Sequence, residues 1–216
     1  MVYDRNAKKH QEAHTNKLKD RTNFQKYEII GLEINVAPNV FTPQSDTRLF
    51  AKNIKVKPGD LVLELTTGSG ILSIIAAKQG AKVVAVDINK FAIECARRNF
   101  KKHNVEITTV VSDLFSNVPP KKYDYIFANG PYFKGKINNV LEYASMGVNK
   151  FIDNLFEGLP RYLKKNGALW ITFAEYGEID TFYKALKRHN LFYKVLDSGL
   201  SPDRKRRYNR YEVRLS

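Results

Sequence analysis

Three acidic residues stand where β-strands are expected to end, and carboxylates placed there can bind a cationic, hydroxyl-rich ligand. Glu64 lies near the end of LVLEL, Asp87 follows VVAV about 23 residues later, and Asp113 follows ITTVVS. An acid about 20 residues beyond a glycine-rich turn is the usual partner of ribose hydroxyls. Because parallel strands end at one edge of a sheet, we expect the three carboxylates in one pocket. Each alone could instead cap the helix that follows it.

A glycine-rich turn at residues 66–70 (TTGSG) separates Glu64 from a predicted helix and lets the backbone approach a ligand closely. A nicotinamide dinucleotide is one candidate. Its fingerprint, however, has a third glycine where this chain has Ser73, and Glu64 would repel its pyrophosphate. A ligand with an ammonium and a sulfonium group would be attracted to Glu64 instead. S-adenosylmethionine is such a ligand.

A second cluster, Asn129-Gly130-Pro131-Tyr132, follows the fourth predicted strand. An amide or exocyclic base nitrogen is a poor nucleophile because its lone pair is delocalised, so a site that methylates it must hold both N–H groups. The Asn129 side-chain oxygen and the Gly130 carbonyl can accept them. Pro131 would stiffen the turn and Tyr132 would stack on the planar group. The alternative is a plain turn, which Asn-Gly and Gly-Pro both favour.

Apolar runs of strand length alternate with amphipathic stretches of helix length from residue 61 onwards. The alternation predicts an α/β fold, a Rossmann-like, doubly wound and mostly parallel sheet with helices on both faces. The predicted strands are 61–65, 83–88, 107–111, 125–128, 169–173 and 191–196. The predicted helices are 71–79, 90–103, 149–164 and 178–189. Alternating charges at 208–215 predict a last, antiparallel strand at the C-terminal edge of the sheet.

The chain before residue 61 divides into two parts. Residues 1–26 are polar and basic, which predicts a helix or an arm, with a poorly ordered terminus as the alternative. Residues 27–43 alternate well enough for a short β lead-in, and Asp46 is expected to cap a short helix that starts near Thr47. We therefore expect an N-terminal extension at 1–26 and one domain over residues 27–216.

The composition excludes several classes of protein. A chain of 216 residues that is 43% hydrophobic can bury a real core, so it is not wholly disordered. The single cysteine, Cys95, excludes an internal disulfide framework and a Cys-rich zinc site, and no metal is predicted. We see no signal-peptide pattern and no apolar run of membrane-spanning length. These features predict a soluble, cytoplasmic protein without a membrane partner.

The chain is strongly basic, with 36 Lys+Arg against 22 Asp+Glu and a formal net charge of +14. Such a charge favours a polyanionic partner such as RNA or the ribosome, or it simply keeps the surface soluble. The run RKRR at 204–207 is followed by Tyr208, Arg210 and Tyr211. Arginines among tyrosines suit phosphate contact and base stacking, but they also protect a strand edge from aggregation.

The stretch 41–165 resembles class I S-adenosylmethionine-dependent methyltransferases, and most closely the group that contains the glutamine N5-methyltransferases of peptide-chain release factors. The resemblance rests on FTPQSDT, ELTTGSG, VVAVDIN, VVSDLF and NGPY, which is similar to Asn-Pro-Pro-Tyr, and on ASMGVNKFIDNLFEGLPRYLKKNGAL after it. The segment GSGILSIIAAKQGAKVVAVDIN is also similar to methyltransferases of ribosomal protein L11, which lack the tyrosine motif.

The resemblance implies a role for each motif residue. At the cofactor end, Glu64 would face the methionine amino group, Asp87 the ribose hydroxyls, and Asp113 with Leu114 the adenine. The remaining residues implied to contact the cofactor are Thr47, Thr67, Gly68, Gly70 and Asn129. Those implied to hold the acceptor group are Asn129, Gly130, Pro131 and Tyr132.

Two positions depart from the family pattern. Thr66 stands at the first glycine, and a β-branched residue resists positive φ, so the loop is expected to bend differently or narrow the methionine end. Gly130 stands at the first proline and is expected to loosen the acceptor loop.

We therefore predict an S-adenosylmethionine-dependent N-methyltransferase that acts on a planar amino nitrogen. The acceptor is either the glutamine amide of a translation factor, which the resemblance favours, or the exocyclic amine of an RNA base, which the charge favours. The alternatives are a basic RNA-binding module on a methyltransferase scaffold that has lost catalysis, and a small-molecule methyltransferase.

Overall fold

A computed structural model describes residues 5–202 and 204–216. Its N-terminal part contains helix α1 (Arg5–Lys19), a hairpin of strands β1 (Gln25–Ile29) and β2 (Leu32–Val36), and helix α2 (Ser45–Lys52). The hairpin begins two residues before the lead-in that the sequence predicts. Ala7 and Leu18 of α1 are both buried. The division of the chain at residue 27 stays a prediction.

The remaining elements alternate in the predicted order. They are β3 (Leu61–Glu64), α3 (Ile71–Lys78), β4 (Lys82–Asp87), α4 (Lys90–Lys102), β5 (Thr108–Val111), β6 (Tyr123–Ala128), a 3₁₀ helix (Val140–Ala144), α5 (Val148–Tyr162), β7 (Leu163–Ala174), α6 (Ile179–Arg188), β8 (Leu191–Leu200) and β9 (Arg207–Leu215).

One seven-stranded sheet organises the fold, in the order β5-β4-β3-β6-β7-β9-β8. The first five strands are parallel, and β9 pairs antiparallel with both β7 and β8. Helices α2, α3 and α4 cover one face over an apolar core, and α5 and α6 cover the other. This arrangement confirms the predicted Rossmann-like, mostly parallel sheet with an antiparallel C-terminal end. All the parallel strands therefore point their carboxyl ends at one edge.

Two local predictions are wrong. Strand β9 is not the edge, because β8 lies outside it. Two charged residues of β9, Arg210 and Glu212, are buried, and Arg210 pairs with Asp197 at 2.6 Å, so they do not protect an exposed strand. Asp46 is not the cap of α2, whose N-cap is Gln44. Asp46 lies in the first turn instead, where its side chain can face the edge of the sheet.

Candidate active site

A cleft opens at the carboxyl edge of the parallel strands. The strands β3, β4 and β6 end in it, and so does the amino end of α2. Most of the residues singled out from the sequence line it. They are Thr47, Glu64, Thr67, Gly68, Asp87, Asp113, Leu114, Asn129, Gly130 and Tyr132.

Gly70 and Pro131 are not among the residues that line this cleft, so their expected contacts with a ligand stay a prediction. Gly70 is the N-cap of α3 with φ +86°, and a Cβ there would lie 2.4 Å from the ring of Phe100. Only glycine allows both this backbone conformation and the close packing of α3 on α4. Pro131 is buried outside the cleft. Both residues shape the loops beside the cleft.

Glu64, at the end of β3, is almost fully buried, with 1% of its surface exposed. Its Oε2 accepts the hydroxyl of Thr67 at 2.8 Å, the backbone N–H of Ser73 at 3.0 Å and the Ser73 hydroxyl. Burial raises the pKa of Glu64 to about 7 in spite of these bonds, and the charge of Asp87 adds to the rise. Ser73, the residue that departs from the nicotinamide fingerprint, thus holds the carboxylate in place.

Asp87, at the end of β4, is held by backbone donors. Its Oδ2 accepts the N–H of Gly68 and its Oδ1 accepts the N–H of Asn89, both at 2.9 Å. Burial raises the pKa of Asp87 to about 6, against the opposing effect of these bonds. Gly68 has φ +53°, the left-handed conformation that lets the turn donate to this carboxylate.

These two carboxylates fit a ligand with a cationic end. Both Glu64 and Asp87 line the cleft, and neither has a Lys, Arg or His partner among residues 5–202 and 204–216. Glu64 is buried and Asp87 is half-buried, and two neighbouring carboxylates withdrawn from water without a cation are costly. A bound positive charge relieves that cost. Chemically, this donor set suits the ammonium and hydroxyl groups of S-adenosylmethionine and would repel a pyrophosphate.

The third predicted acid sits differently from the other two. Asp113 is exposed at the rim of the cleft, whereas the neighbouring Leu114 is 7% exposed and has φ +46°. A leucine in the left-handed region is strained, and this backbone conformation places its apolar side chain in the wall of the cleft. Leu114 thus forms an apolar wall and Asp113 an acidic rim, an arrangement that would suit the purine that the resemblance implies for this pair.

Asn129 follows β6, and its side chain is fixed inside the cleft by several partners. Its Nδ2 donates to the Thr47 hydroxyl at 3.2 Å, and its Oδ1 accepts the Thr172 hydroxyl at 2.5 Å and lies 2.8 Å from the Tyr132 hydroxyl oxygen. Its backbone N–H donates to the Thr66 hydroxyl at 2.9 Å. The side chain is therefore positioned from α2, β7 and its own loop at once.

Thr66 resolves the first departure from the family pattern. The positive φ values in the turn fall on Gly68 and Gly70, so Thr66 needs no left-handed conformation. Its hydroxyl instead ties the end of β3 to the Asn129 segment. Thr66 therefore does not force the turn to bend differently, and it makes a hydrogen bond that a glycine could not make.

Gly130 resolves the second departure. A Cβ at this position would lie 2.2 to 2.9 Å from the ring atoms of Phe151 on α5. The ring occupies the space that a larger residue would use, so the segment is packed and is not loosened as the sequence suggests. The Gly130 carbonyl accepts no hydrogen bond within the described ranges, which leaves it available to a ligand.

Sequence reasoning missed several residues of the cleft. Asp46 accepts the Tyr132 hydroxyl at 2.7 Å, and Thr172 comes from β7, about 40 residues after the motif that it positions. Tyr176 and Tyr208 add aromatic walls beside Tyr132. The FTPQSDT segment points to Asp46, and Tyr208 stands beside the basic run at 204–207 that was singled out from the sequence. Thr172 and Tyr176 stand in no motif.

The N-terminal helix also reaches the cleft. Gln11 of α1 lines it, and the His14 ring nitrogen lies 3.0 Å from the Thr42 hydroxyl. Burial and the charge of Arg21 lower the pKa of His14. No cluster of His, Cys, Asp or Glu in residues 5–202 and 204–216 could hold a metal ion, and no helix there is long and apolar enough to cross a bilayer. The cytoplasmic location stays a prediction.

Comparison with known proteins identifies what this chain is similar to. The sequence model described as "Methyltransferase small domain" matches residues 31–194. A "Putative protein N5-glutamine methyltransferase" of Methanocaldococcus jannaschii is 41% identical over 153 residues, which are 67% of this chain and 77% of that protein. A ribosomal protein L11 methyltransferase of Thermosipho africanus is 34% identical over 148 residues, 67% of this chain and 48% of that protein.

Among solved structures, a methyltransferase from Pyrococcus furiosus superimposes with a TM-score of 0.67 at 20% identity, covering 94% of this chain and 98% of that one. At this identity the likeness concerns the fold alone. The chain thus spans most of one similar protein and about half of the L11 enzyme.

Proposed function

Because this chain belongs to the methyltransferase small domain family, we propose that it methylates the side-chain amide of a glutamine in a protein of the translation apparatus. The chain is an S-adenosylmethionine-dependent N-methyltransferase, and when bound that cofactor supplies a methyl group on a cationic sulfur for in-line displacement. The 41% identical relative, whose name gives protein glutamine as its substrate, supports the choice of acceptor.

One adjacency in the structure carries the proposal. Strands β3 and β6 are neighbours, with Glu64 opposite Phe127, so the buried carboxylate and the Asn129 segment lie side by side. The Thr66 hydroxyl joins the two segments directly. A ligand held at Glu64 by its cationic end and a planar amide held at Asn129 would share one cleft. Positioning of this kind supplies a large part of the rate of a displacement reaction.

The acceptor end offers two oxygens for two amide N–H groups. The Gly130 carbonyl is available as the first. The second is Asn129 Oδ1, which lies within hydrogen-bond distance of two hydroxyls. The Tyr132 hydroxyl has a single proton and also lies 2.7 Å from Asp46 Oδ2. When Tyr132 donates to Asp46, a lone pair of Asn129 Oδ1 becomes free for the acceptor.

Asp46 therefore acts as a positioning residue for the acceptor end. A carboxylate is a stronger acceptor than an amide oxygen, so it holds the Tyr132 proton away from Asn129. Two accepted N–H bonds favour the form of the amide in which positive charge develops on nitrogen, which stabilises the transition state electrostatically. The nitrogen then loses its proton after transfer, and no strong base is needed before it.

The decisive experiment follows the label from methyl-labelled S-adenosylmethionine into an extract of cellular macromolecules. We expect protease, and not nuclease, to release the label, and acid hydrolysis of the protein to yield labelled methylamine from the methylated amide. Asn129→Ala should abolish labelling, whereas Asn149→Ala, an exposed asparagine at the start of α5, should not change it. Labelling that Asn129→Ala leaves intact contradicts the proposed acceptor site.

An RNA base is the second candidate acceptor, and one observation favours it. The guanidinium of Arg206 lies 5.8 Å from the ring of Tyr176, which lines the cleft, and the exposed Arg204 and Arg207 lie close by in the chain. A basic and aromatic rim of this kind suits a nucleotide. Release of the label by nuclease would select this alternative.

A further inference from the structure

The edge strand β8 carries several exposed apolar side chains. Four of the nine large hydrophobic side chains that are exposed in residues 5–202 and 204–216 lie on it. They are Phe192 at 66%, Tyr193 and Val195 at 49%, and Leu200 at 41% exposure. The strand is ten residues long and has a neighbour on one side only, β9. A long apolar edge with unpaired backbone groups is a template for another strand.

An irregularity in the middle of β8 determines which strand fits. Val195 pairs with Tyr211 of β9 and Asp197 pairs with Arg210, so Leu196 is an extra, bulged residue. Because of the bulge, Lys194 and Asp197 lie on the same face of the sheet although they are three positions apart. A bulge usually disturbs pairing with a regular strand, whereas a strand with the same bulge can match it.

We propose that two copies of this chain associate through their β8 strands, antiparallel about a two-fold axis between Val195 and Leu196. In this register Leu191 of one copy faces Leu200 of the other, so all ten residues are paired. Residues that pair across two antiparallel strands must point to the same face of the sheet. When one residue of a pair lies before the bulge and the other after it, this condition holds only if their residue numbers add up to an odd number, as they do in this register. The result is a continuous fourteen-stranded sheet, a self-complementary interface of the kind that two-fold symmetry demands.

The charges of β8 are complementary in the same register. Lys194 of each copy faces Asp197 of the other on the same face of the sheet, which gives two inter-copy pairs. Lys194 is 63% exposed, with its ammonium 3.1 Å from Glu212 of its own copy, and Asp197 Oδ1 is buried without a hydrogen-bond partner among the described residues. An inter-copy ammonium would satisfy it. Phe192 faces Gly199, where its ring would meet the side chain of Leu49, which lies 3.4 Å from the position of a Cβ at Gly199.

Sedimentation velocity over a range of concentrations tests this interface on the intact protein. We expect the mass to rise from 24.8 kDa to about twice that value with concentration. Val195→Lys places two ammonium groups beside the axis and should raise the dimer dissociation constant at least tenfold. Val111→Lys is the matched control, because Val111 is 45% exposed on β5, the opposite edge of the sheet, and should leave the constant unchanged.

A cross-link tests the register, and Cys95 does not interfere because it is buried. A mixture of Phe192→Cys and Gly199→Cys proteins should form a disulfide-linked heterodimer under mild oxidation. Each variant alone should not, because Phe192 of the two copies would be about 23 Å apart along the strands, far beyond disulfide reach. Circular dichroism checks that the variants fold. A monomer at every concentration, or equal effects of Val195→Lys and Val111→Lys, overturns the proposal. Methyl transfer is measured separately, so either result leaves the proposed function to its own test.

Discussion

Replacing Glu64 with glutamine keeps the shape of the side chain and removes its charge, which separates hydrogen bonding from attraction to a cationic ligand. The free protein holds the pKa of Glu64 at about 7. Only about a tenth of the carboxylates are then ionised at pH 6, against about nine tenths at pH 8. If the ionised form binds the cofactor ammonium, the dissociation constant should rise about tenfold from pH 8 to pH 6.

Asp87, with a pKa of about 6, enlarges the effect. Half of its carboxylates are protonated at pH 6, so the combined increase in the dissociation constant is about twentyfold. Glu64→Gln should weaken binding at pH 8 and leave only the smaller dependence that Asp87 causes. Isothermal titration calorimetry with S-adenosylmethionine measures both. The ratio of the two proteins' constants cancels the titration of the ligand's own amino group.

The stability of the free protein gives an independent reading of the same shift. The folded pKa of Glu64 lies above its ordinary value of 4.5, so the folded state binds the proton more tightly than the unfolded state. Stability should therefore fall as pH rises from 4.5 to 7, by about 3 kcal/mol. Glu64→Gln should lack this loss, whereas Glu94→Gln, an exposed acid on α4, should retain it. Two results together would refute the reasoning: a ratio of the two proteins' dissociation constants that does not change with pH, and a pH dependence of the melting temperature that Glu64→Gln leaves unchanged.

Three further substitutions test the acceptor end. Gly130→Ala should displace the Phe151 ring and lower kcat, and adding Phe151→Ala should restore part of the lost kcat. Steady-state kinetics of the two single variants and the double variant measures this; independent effects of the two substitutions on kcat would contradict the prediction. Asp46→Ala should leave the Tyr132 hydroxyl on the asparagine oxygen and raise the KM for the acceptor about tenfold, with cofactor affinity by calorimetry unchanged. Thr66→Val should cost about 1 to 3 kcal/mol in thermal unfolding because a backbone N–H loses its partner, whereas Thr66→Ser should cost little.

The parallel core and its acids were predictable from the sequence because local patterns specify them. Each strand is a short apolar run, and Glu64 and Asp87 stand at the strand ends that the order of a parallel sheet brings together. Glycine at position 70 was also a valid signal, since the turn needs a positive φ. What the spacing could not tell is that Gly70 faces Phe100 and not the cleft.

The errors concern long-range register. The charges of β9 alternate as an edge strand's would, but Arg210 lies 5.1 Å from the ring of Trp170 and is covered by Phe50 of α2. The partners of a strand that far along the chain depend on tertiary packing, and no local pattern encodes them. Thr172 was missed for the same reason, since its role depends on the register of β7 against β6.

The departures at Thr66 and Gly130 carry a similar lesson. Judged one at a time, each position weakens the match to the family motif. In the structure each has a partner elsewhere, the backbone of Asn129 for Thr66 and the ring of Phe151 for Gly130. A motif read from a single sequence cannot reveal such pairs of compensating residues.

The rate at which the only cysteine, Cys95, is alkylated can measure how often the N-terminal hairpin separates from α4. Cys95 Sγ on α4 accepts the N–H of Ala37 at 3.4 Å and donates to the carbonyl of Asn35 at 3.2 Å, so it lies beneath the segment that ends β2. Burial also raises the pKa of this thiol, which keeps it unreactive while the hairpin is in place. A maleimide can reach the sulfur only after the hairpin lifts away from α4. The rate at which the maleimide alkylates Cys95 in the native protein therefore reports how often the hairpin separates from α4, and no substitution is needed.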